Sequence, residues 1–246
     1  RCGEKMRLFV NELCKIKASK SVKGVAAIFI FFAILAGTVW GKSDMPAALY
    51  GFGAPFMWIV ANGASGFFLY ALIVASLFAG EFELGVIHNI LGCGVKRSSY
   101  FIAKVMAVFS VTVLLYLGGI CALLLFKCLL VGFGPSALIF ADYGFKVLVF
   151  NGWAVCSLLS YVAVYILIAC LFREAVPTFI ASLVITLCEL FNLFRGPVRI
   201  TTDAIGFIES DKILSSDFGR LFTPCIFILV IALAAAYILF LVQDVD

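Results

Sequence analysis

The chain has 246 residues, of which 64% are hydrophobic and only 13% charged, with a net charge of +4. Soluble domains are about half apolar and about a quarter charged, so a soluble fold is excluded and a polytopic membrane protein is expected. The basic residues sit at the ends of apolar runs rather than in a patch interleaved with aromatics, so no nucleic-acid partner is expected.

Residue 1 is an arginine, and the chain reads as a natural beginning from Met6, which leaves residues 1–5 of uncertain origin. The first apolar run starts near Val22 after a long basic segment, and no cleavable signal peptide is evident. Residues 6–20, MRLFVNELCKIKASK, are amphipathic at helical spacing. Phe9, Leu13 and Ile16 make one face, Arg7 and Lys15 point away, and Glu12 and Lys17 flank it. Cationic stems beside an apolar face suit a helix lying in the headgroup layer, and the same residues also read as a basic leader that fixes orientation.

Six spans follow, at 22–40, 57–79, 101–126, 146–172, 177–194 and 221–242. Each is near or above the ~20 residues needed to cross ~30 Å of hydrocarbon, the fifth being the shortest. Backbone polar groups must be satisfied within each span, so the predicted class is all-α: six transmembrane helices in one domain over 1–246, with a surface helix at each of 6–20 and 81–92. Pro46, Pro55, Pro135, Pro177, Pro197 and Pro224 fall in loops or first turns, where proline is tolerated. The longest outward connector, 195–220, carries Ile205, Phe207 and Ile208 among acids and glycines, which fits a short dipping helix or a solvated link.

Six spans put both termini on one side. Arg7, Lys15, Lys17, Lys20, Lys23, Lys96, Arg97, Lys104 and Arg173 fall on that side, with the strongest bias before the first span, so both termini are expected in the cytoplasm of a cell-membrane protein.

Residues 80–104, GEFELGVIHNILGCGVKRSSYFIAK, link the second and third spans. If 81–92 is one helix, Glu81, Gly85, His88, Asn89 and Gly92 share a polar stripe, at i, i+4, i+7, i+8 and i+11. Val86, Ile87 and Ile90 fall opposite, with Phe82 at the border. Gly94 then breaks the helix, and Lys96 and Arg97 form a basic turn. Glu81 has an alternative role, pairing with the lysines of the first surface helix to hold the two together.

Other patterns are weaker. The nine cysteines form no CxxC, and with one histidine a metal site is poorly supplied, so they read as reduced packing residues and no metal or cofactor is expected. There is no GxxxxGKS/T phosphate loop, so any ATP hydrolysis belongs to another subunit and the chain itself is not expected to be an enzyme. Gly63-Ala64-Ser65-Gly66 matches the GxSG of rhomboid-type intramembrane proteases, but the only histidine, His88, is 23 residues on. That is ~35 Å along a continuous helix, too far to act as a base, and the small residues read instead as a helix-packing face. Glu189 and Asn192 in the fifth span and Asn62 in the second are candidates for a translocation path, with a structural hydrogen bond as the plainer reading; Asn151 in the fourth is a further intramembrane polar residue.

The spacing Glu81-x3-Gly85-x5-Leu91-x2-Gly94-x2-Arg97, followed by Tyr100 and Lys104, resembles the segment between the second and third spans of type-2 ATP-binding-cassette exporter permeases. Threonine usually follows the glycine in that family, and here the residue is Val86. The start Asn11-Glu12-Leu13-x-Lys15 looks like the family's interfacial elbow helix, and the short Leu171-Phe172-Arg173 turn fits the same plan. The resemblance implies that 81–92 is a coupling helix docking on a separate ATPase subunit through Glu81, Gly85, His88, Asn89 and Arg97. It also implies a second permease copy or paralogue, and export of an amphipathic substrate. In length and plan the chain is similar to the permeases of lantibiotic-immunity and bacteriocin-export transporters. The rival reading from the residues is a non-transporting membrane scaffold or sensor.

Overall fold

The computed structural model describes residues 2–40, 67–131, 136–190 and 216–242. Within them every regular element is helical. The helices are α1 (Cys2–Ala18), α2 (Lys20–Trp40), α3 (Phe67–Glu83), α4 (Val86–Gly92), α5 (Arg97–Val131), α6 (Ser136–Phe172), α7 (Ala175–Leu190) and α8 (Ser216–Val242).

The all-α class is as expected. Among the described residues, Arg97–Leu123, Asn151–Phe172 and Phe222–Val242 are long and apolar enough to cross a membrane, and the bent pair α3–α4 makes a fourth crossing if taken as one span. Residues 57–66 and 191–194 of the expected second and fifth spans lie outside the described residues, as does 195–215 of the long connector. Helix ends differ from the apolar runs. α5 starts at Arg97, α6 at Ser136 and α8 at Ser216, each earlier than its hydrophobic stretch. A helix continues past the hydrocarbon wherever its backbone ladder can, and hydropathy is blind to that extension. Pro224 therefore lies inside α8 rather than in its first turn. Likewise α1 begins at Cys2, ahead of Met6.

α6 is the axis of the packing. In its apolar window 61% is buried, against 22% for α8, which leaves Phe227, Val230, Ile231 and Ile238 exposed as a lipid-facing helix would. A helix that is apolar all round belongs in the centre. α8 lies along α6, α2 along α5, and α1 across α5, while α7 packs on both α6 and α3. α8 turns Cys225, Ala232, Ala236 and Phe240 inward at helical spacing. The Ser160 hydroxyl of α6 lies 2.7 Å from the Cys225 carbonyl and 2.8 Å from its own helix's Cys156 carbonyl, tying α6 to α8. Tyr165 and Thr186 share a hydrogen bond of 2.7 Å between α6 and α7. Tyr116 of α5 donates to Asn151 of α6 at 2.9 Å, so this intramembrane asparagine has a structural partner.

α3 departs from an α-helix at Ala75–Ala79, a π-helical turn in which the Gly80 N–H bonds back to the Ala75 carbonyl. A π turn holds one residue more than the α ladder would, which shifts the phase of everything after it by about 100°. Against it packs α7, whose Thr178 and Ser182 are buried with hydroxyls that have no hydrogen-bond partner among the described residues.

These hydroxyls predict contrasting substitutions. Thr178→Val keeps the shape and removes an unpartnered polar atom, so thermal unfolding in detergent should be unchanged or shifted upward. Ser160→Ala deletes a made bond and should cost about 0.5–1 kcal/mol in the same assay.

Candidate functional site

The expected second surface helix is broken. Helix α3 ends at Glu83, and Gly85 adopts a left-handed conformation (φ 66°) before α4 begins at Val86. The two helices meet at a bend of 63°. Gly94 (φ 84°) closes the far end. A left-handed residue costs about 1–2 kcal/mol with a side chain, so glycine at 85 and 94 is a backbone requirement. The proposed single stripe of Glu81, Gly85, His88, Asn89 and Gly92 therefore does not form. His88, Asn89 and Gly92 are exposed on α4, whereas Glu81 belongs to the end of α3 and turns into the protein. The apolar side is as expected: Ile87 is buried, and Ile90 and Phe82 pack against the core.

Glu81 enters an ion cluster built by three helices. Lys104 of α5 is almost excluded from solvent, its side chain 2% exposed, and its Nζ lies 2.8 Å from Glu12 Oε2 and 2.6 Å from Glu81 Oε2. Lys15 of α1 closes the ring from the other side, 2.5 Å from Glu12 Oε1 and 3.6 Å from Glu81 Oε1. The Tyr100 hydroxyl donates to Glu81. Two acids and two lysines alternate, so the cluster is neutral. Burial pushes the Glu12 carboxyl up, but the charge and hydrogen bond of Lys104, with Lys15, outweigh it and hold the group below its ordinary value of 4.5. Burial pulls the Lys15 ammonium down, but the Glu12 hydrogen bond and the Glu81 charge hold it above its ordinary value of 10.5. Glu81 does meet the first surface helix, through Lys15 alone at 3.6 Å, while its closer partner is Lys104 of α5 at 2.6 Å. Phe9, Leu13 and Ile16 of α1 share one face as expected, and that face packs on the protein core; Glu12 lies buried with them rather than at the flank.

Two further hydrogen bonds and an aromatic layer gather the same end of the bundle. Glu83 Oε2 accepts the Ala175 N–H at 3.1 Å and caps the start of α7, where free N–H groups favour an anion. The chain reaches that cap through Arg173, itself left-handed (φ 57°). Arg97 Nη1 donates to the Leu241 carbonyl at 3.4 Å, near the C-terminal end of α8. Beneath lies an aromatic layer of Phe78, Phe82, Tyr100, Phe101, Tyr237 and Phe240, with ring centroids 5.2–6.2 Å apart. Such pairs add about 0.5–1.5 kcal/mol each beyond the area they bury.

Sequence reasoning missed Lys104 and Glu12 as partners. The signal was present: a lysine inside the first turn of an expected span demands a counter-charge, and an amphipathic helix nearby carries one. Asn62, Asn192 and Ser65 lie outside the described residues; Glu189 is in α7, but its side chain is outside them too. Among the described residues no group of histidine, cysteine and acid side chains could hold a metal ion. Cys14, Cys93, Cys121, Cys156, Cys170, Cys188 and Cys225 are free thiols; Cys170 and Cys225 are buried, while Cys14, Cys93 and Cys121 are exposed.

An all-helical bundle with three to four described helices long and apolar enough to cross a bilayer is a polytopic membrane protein. The chain belongs to the ABC-2 family transporter proteins, whose family pattern it matches over residues 8–189. That range holds most of α1, the bend and the ion cluster. No curated protein matches the chain.

Removing one member of a buried ion cluster leaves the others uncompensated. Lys104→Met should destabilise the protein by about 3–5 kcal/mol in denaturant or thermal unfolding, and adding Glu12→Gln and Glu81→Gln should recover much of the loss. The pH dependence follows from the two shifts. Glu12 is depressed, so its stabilisation is present above about pH 4.5 and lost as pH falls through its folded value. Lys15 is raised, so its contribution is present below about pH 10.5 and lost as pH rises through its folded value. Melting temperature should be level between these limits. Glu12→Gln should lower the plateau and flatten the acid limb.

Proposed function

We propose that the chain is the membrane-spanning permease subunit of an ATP-driven exporter and that the segment from Glu83 to Gly94 is its docking lever for a separate ATPase subunit. The observation that carries this reading is the bend. α4 is seated by one fully buried side chain, Ile87, and its outward face offers His88 and Asn89. Glu81 serves the docking reading indirectly, by fixing the end of α3 to α1 and α5. Arg97 does the same at the other end through α8.

ATP hydrolysis belongs to the partner, since the chain carries no phosphate loop. The permease acts as a dimer, with a second copy or a paralogue, in the cell membrane, and the end of the bundle bearing α1 and α4 faces the cytoplasm. The apolar, phenylalanine-rich chain suits an amphipathic cargo: a peptide such as a lantibiotic, a lipid or a hydrophobic drug.

Two measurements test this. Tagged protein solubilised in mild detergent should bring down an ATP-hydrolysing subunit. A Cβ at Gly85 meets no atom within 4 Å, so Gly85→Ala adds only backbone strain, about 1–2 kcal/mol, while Gly85→Trp adds bulk to an open surface. The alanine variant should retain the ATPase and the tryptophan variant should lose it; retention by both, or no ATPase with the native chain, removes the reading. With Cys93 as the sole thiol, a membrane-impermeant reagent should label inside-out vesicles and spare intact cells. Labelling of intact cells would reverse the orientation.

A further inference from the structure

The start of α2 has two unlike sides. Val22, Val25 and Phe29 are buried, at i, i+3 and i+7, and α2 lies along α5. Lys20, Lys23, Gly24, Ala27, Ile28 and Phe31 share the opposite side and are all exposed. Along that side the cations come first, then two small residues, then apolar ones. From Lys20 to Phe31 the helix rises ~16 Å, about the hydrocarbon depth of one bilayer leaflet.

Lys17, at the end of α1, adds a third cation. Backbone hydrogen bonds hold the junction between the two helices. The Ser19 N–H donates to the Lys15 and Ile16 carbonyls at 3.0 Å, and the Lys23 N–H donates to the Ser19 carbonyl at 3.3 Å. The three lysines therefore rise from a fixed backbone. They are exposed and have no partner among the described residues. No acid occurs from residue 13 to residue 43. The acids nearest in the packing, Glu12 and Glu81, are already held by Lys104 and Lys15. Packing does not explain Gly24 either, since a Cβ there would meet nothing within 4 Å.

The order of groups decides what covers this side. A second copy laid symmetrically against it would set lysines against lysines. An acidic soluble protein would meet the lysines but not the apolar residues one and two turns deeper. A phospholipid of net negative charge meets both, and a zwitterionic one leaves the lysines uncompensated. We infer that the start of α2, with Lys17, is a binding site for an anionic glycerophospholipid. Its phosphate lies among Lys17, Lys20 and Lys23, its glycerol beside Gly24 and Ala27, and its acyl chains along Ile28 and Phe31. A lysine near an anionic membrane surface contributes about a fivefold preference.

The test places the full chain in phosphatidylcholine nanodiscs containing a small share of brominated lipid. The probe is a bimane fluorophore on Ala27→Cys, with the other cysteines replaced by alanine. Brominated phosphatidylglycerol should quench it at about one-fifth the mole fraction that brominated phosphatidylcholine needs. Replacing Lys17, Lys20 and Lys23 together by glutamine should merge the two curves, and replacing them by arginine should keep them apart. Both variants should melt as native, because the side chains are exposed. Equal quenching by the two lipids in the chain with its lysines intact overturns the inference. Quenching by neither lipid also overturns it, by placing protein on this side. Inorganic phosphate at matched ionic strength should leave the phosphatidylglycerol curve in place; displacement would assign the lysines to a free anion instead. On the native chain, with every cysteine in place, native mass spectrometry should find phosphatidylglycerol retained over phosphatidylcholine. Loss of that preference in the glutamine variant is expected, and its persistence there would put the site elsewhere and overturn the inference.

Discussion

A lysine shut away from water at the edge of the bundle sets the terms for everything around it. Lys104 has almost no exposed surface, and an ammonium in that position loses several kcal/mol of hydration that must be offset by opposite charge at contact distance. Its own helix offers no carboxylate there. Glu12 has to come from α1 and Glu81 from the end of α3, and Lys15 then balances the second acid. The requirement is mutual, since without Lys104 the two glutamates would share the single ammonium of Lys15. α1 therefore does not merely float in the headgroup layer: it is bound to the bundle through its buried acid, with Ile16 packed alongside.

Whether Glu81 can reach Lys104 depends on helix phase. The π turn at Ala75–Ala79 puts one extra residue between the buried face of α3 and its end, so a helical wheel drawn straight through would place Glu81 about 100° from where it lies. Gly85 then ends the helix before that phase can carry into α4. Together these devices point one acid inward and leave the next turn of polar residues facing out. Continuous α-helix from Phe67 to Gly92 would have coupled the two, and the ion cluster and the outward face of α4 could not both have been built.

Much of the architecture was legible because it follows from solvation. Long apolar runs have to be helices in lipid, so the class, the surface helix at the start and the inward side of Ile87 and Ile90 could all be read from residue order. What was not legible was local geometry that hydropathy does not encode. Gly85 fits an i, i+4 stripe as well as a left-handed stop, and only the backbone distinguishes them. The π turn has no sequence mark in ASLFA. Lys104 looked like one more basic residue favouring the cytoplasmic side, because charge counting for topology ignores whether a charge faces water. Glu12 was placed at the flank of its helix for the same reason: a wheel treats every acid as solvated unless a partner is known.

The contacts at this end also decide how a load on α4 would travel. The turns on either side of it are closed by hydrogen bonds, Gly85 N–H to Phe82 and Gly94 N–H to Leu91, so α4 cannot swing freely from its neighbours. α3 and α5 are joined by Lys104 and Glu81, and both are joined to α1. Glu83 extends the connection to α7 and Arg97 extends it to α8. Displacing α4 would therefore pull on five helices at once, through contacts that are buried or charged and do not stretch. Rigid-body tilt of this end is the motion such a network permits, because packed interfaces shift as units rather than deforming continuously. Along α3 the π turn is where the ladder already departs from α register, and α7 packs on it. A tilt that began at α4 would reach that turn directly, one turn above the ion cluster that fixes the end of α3.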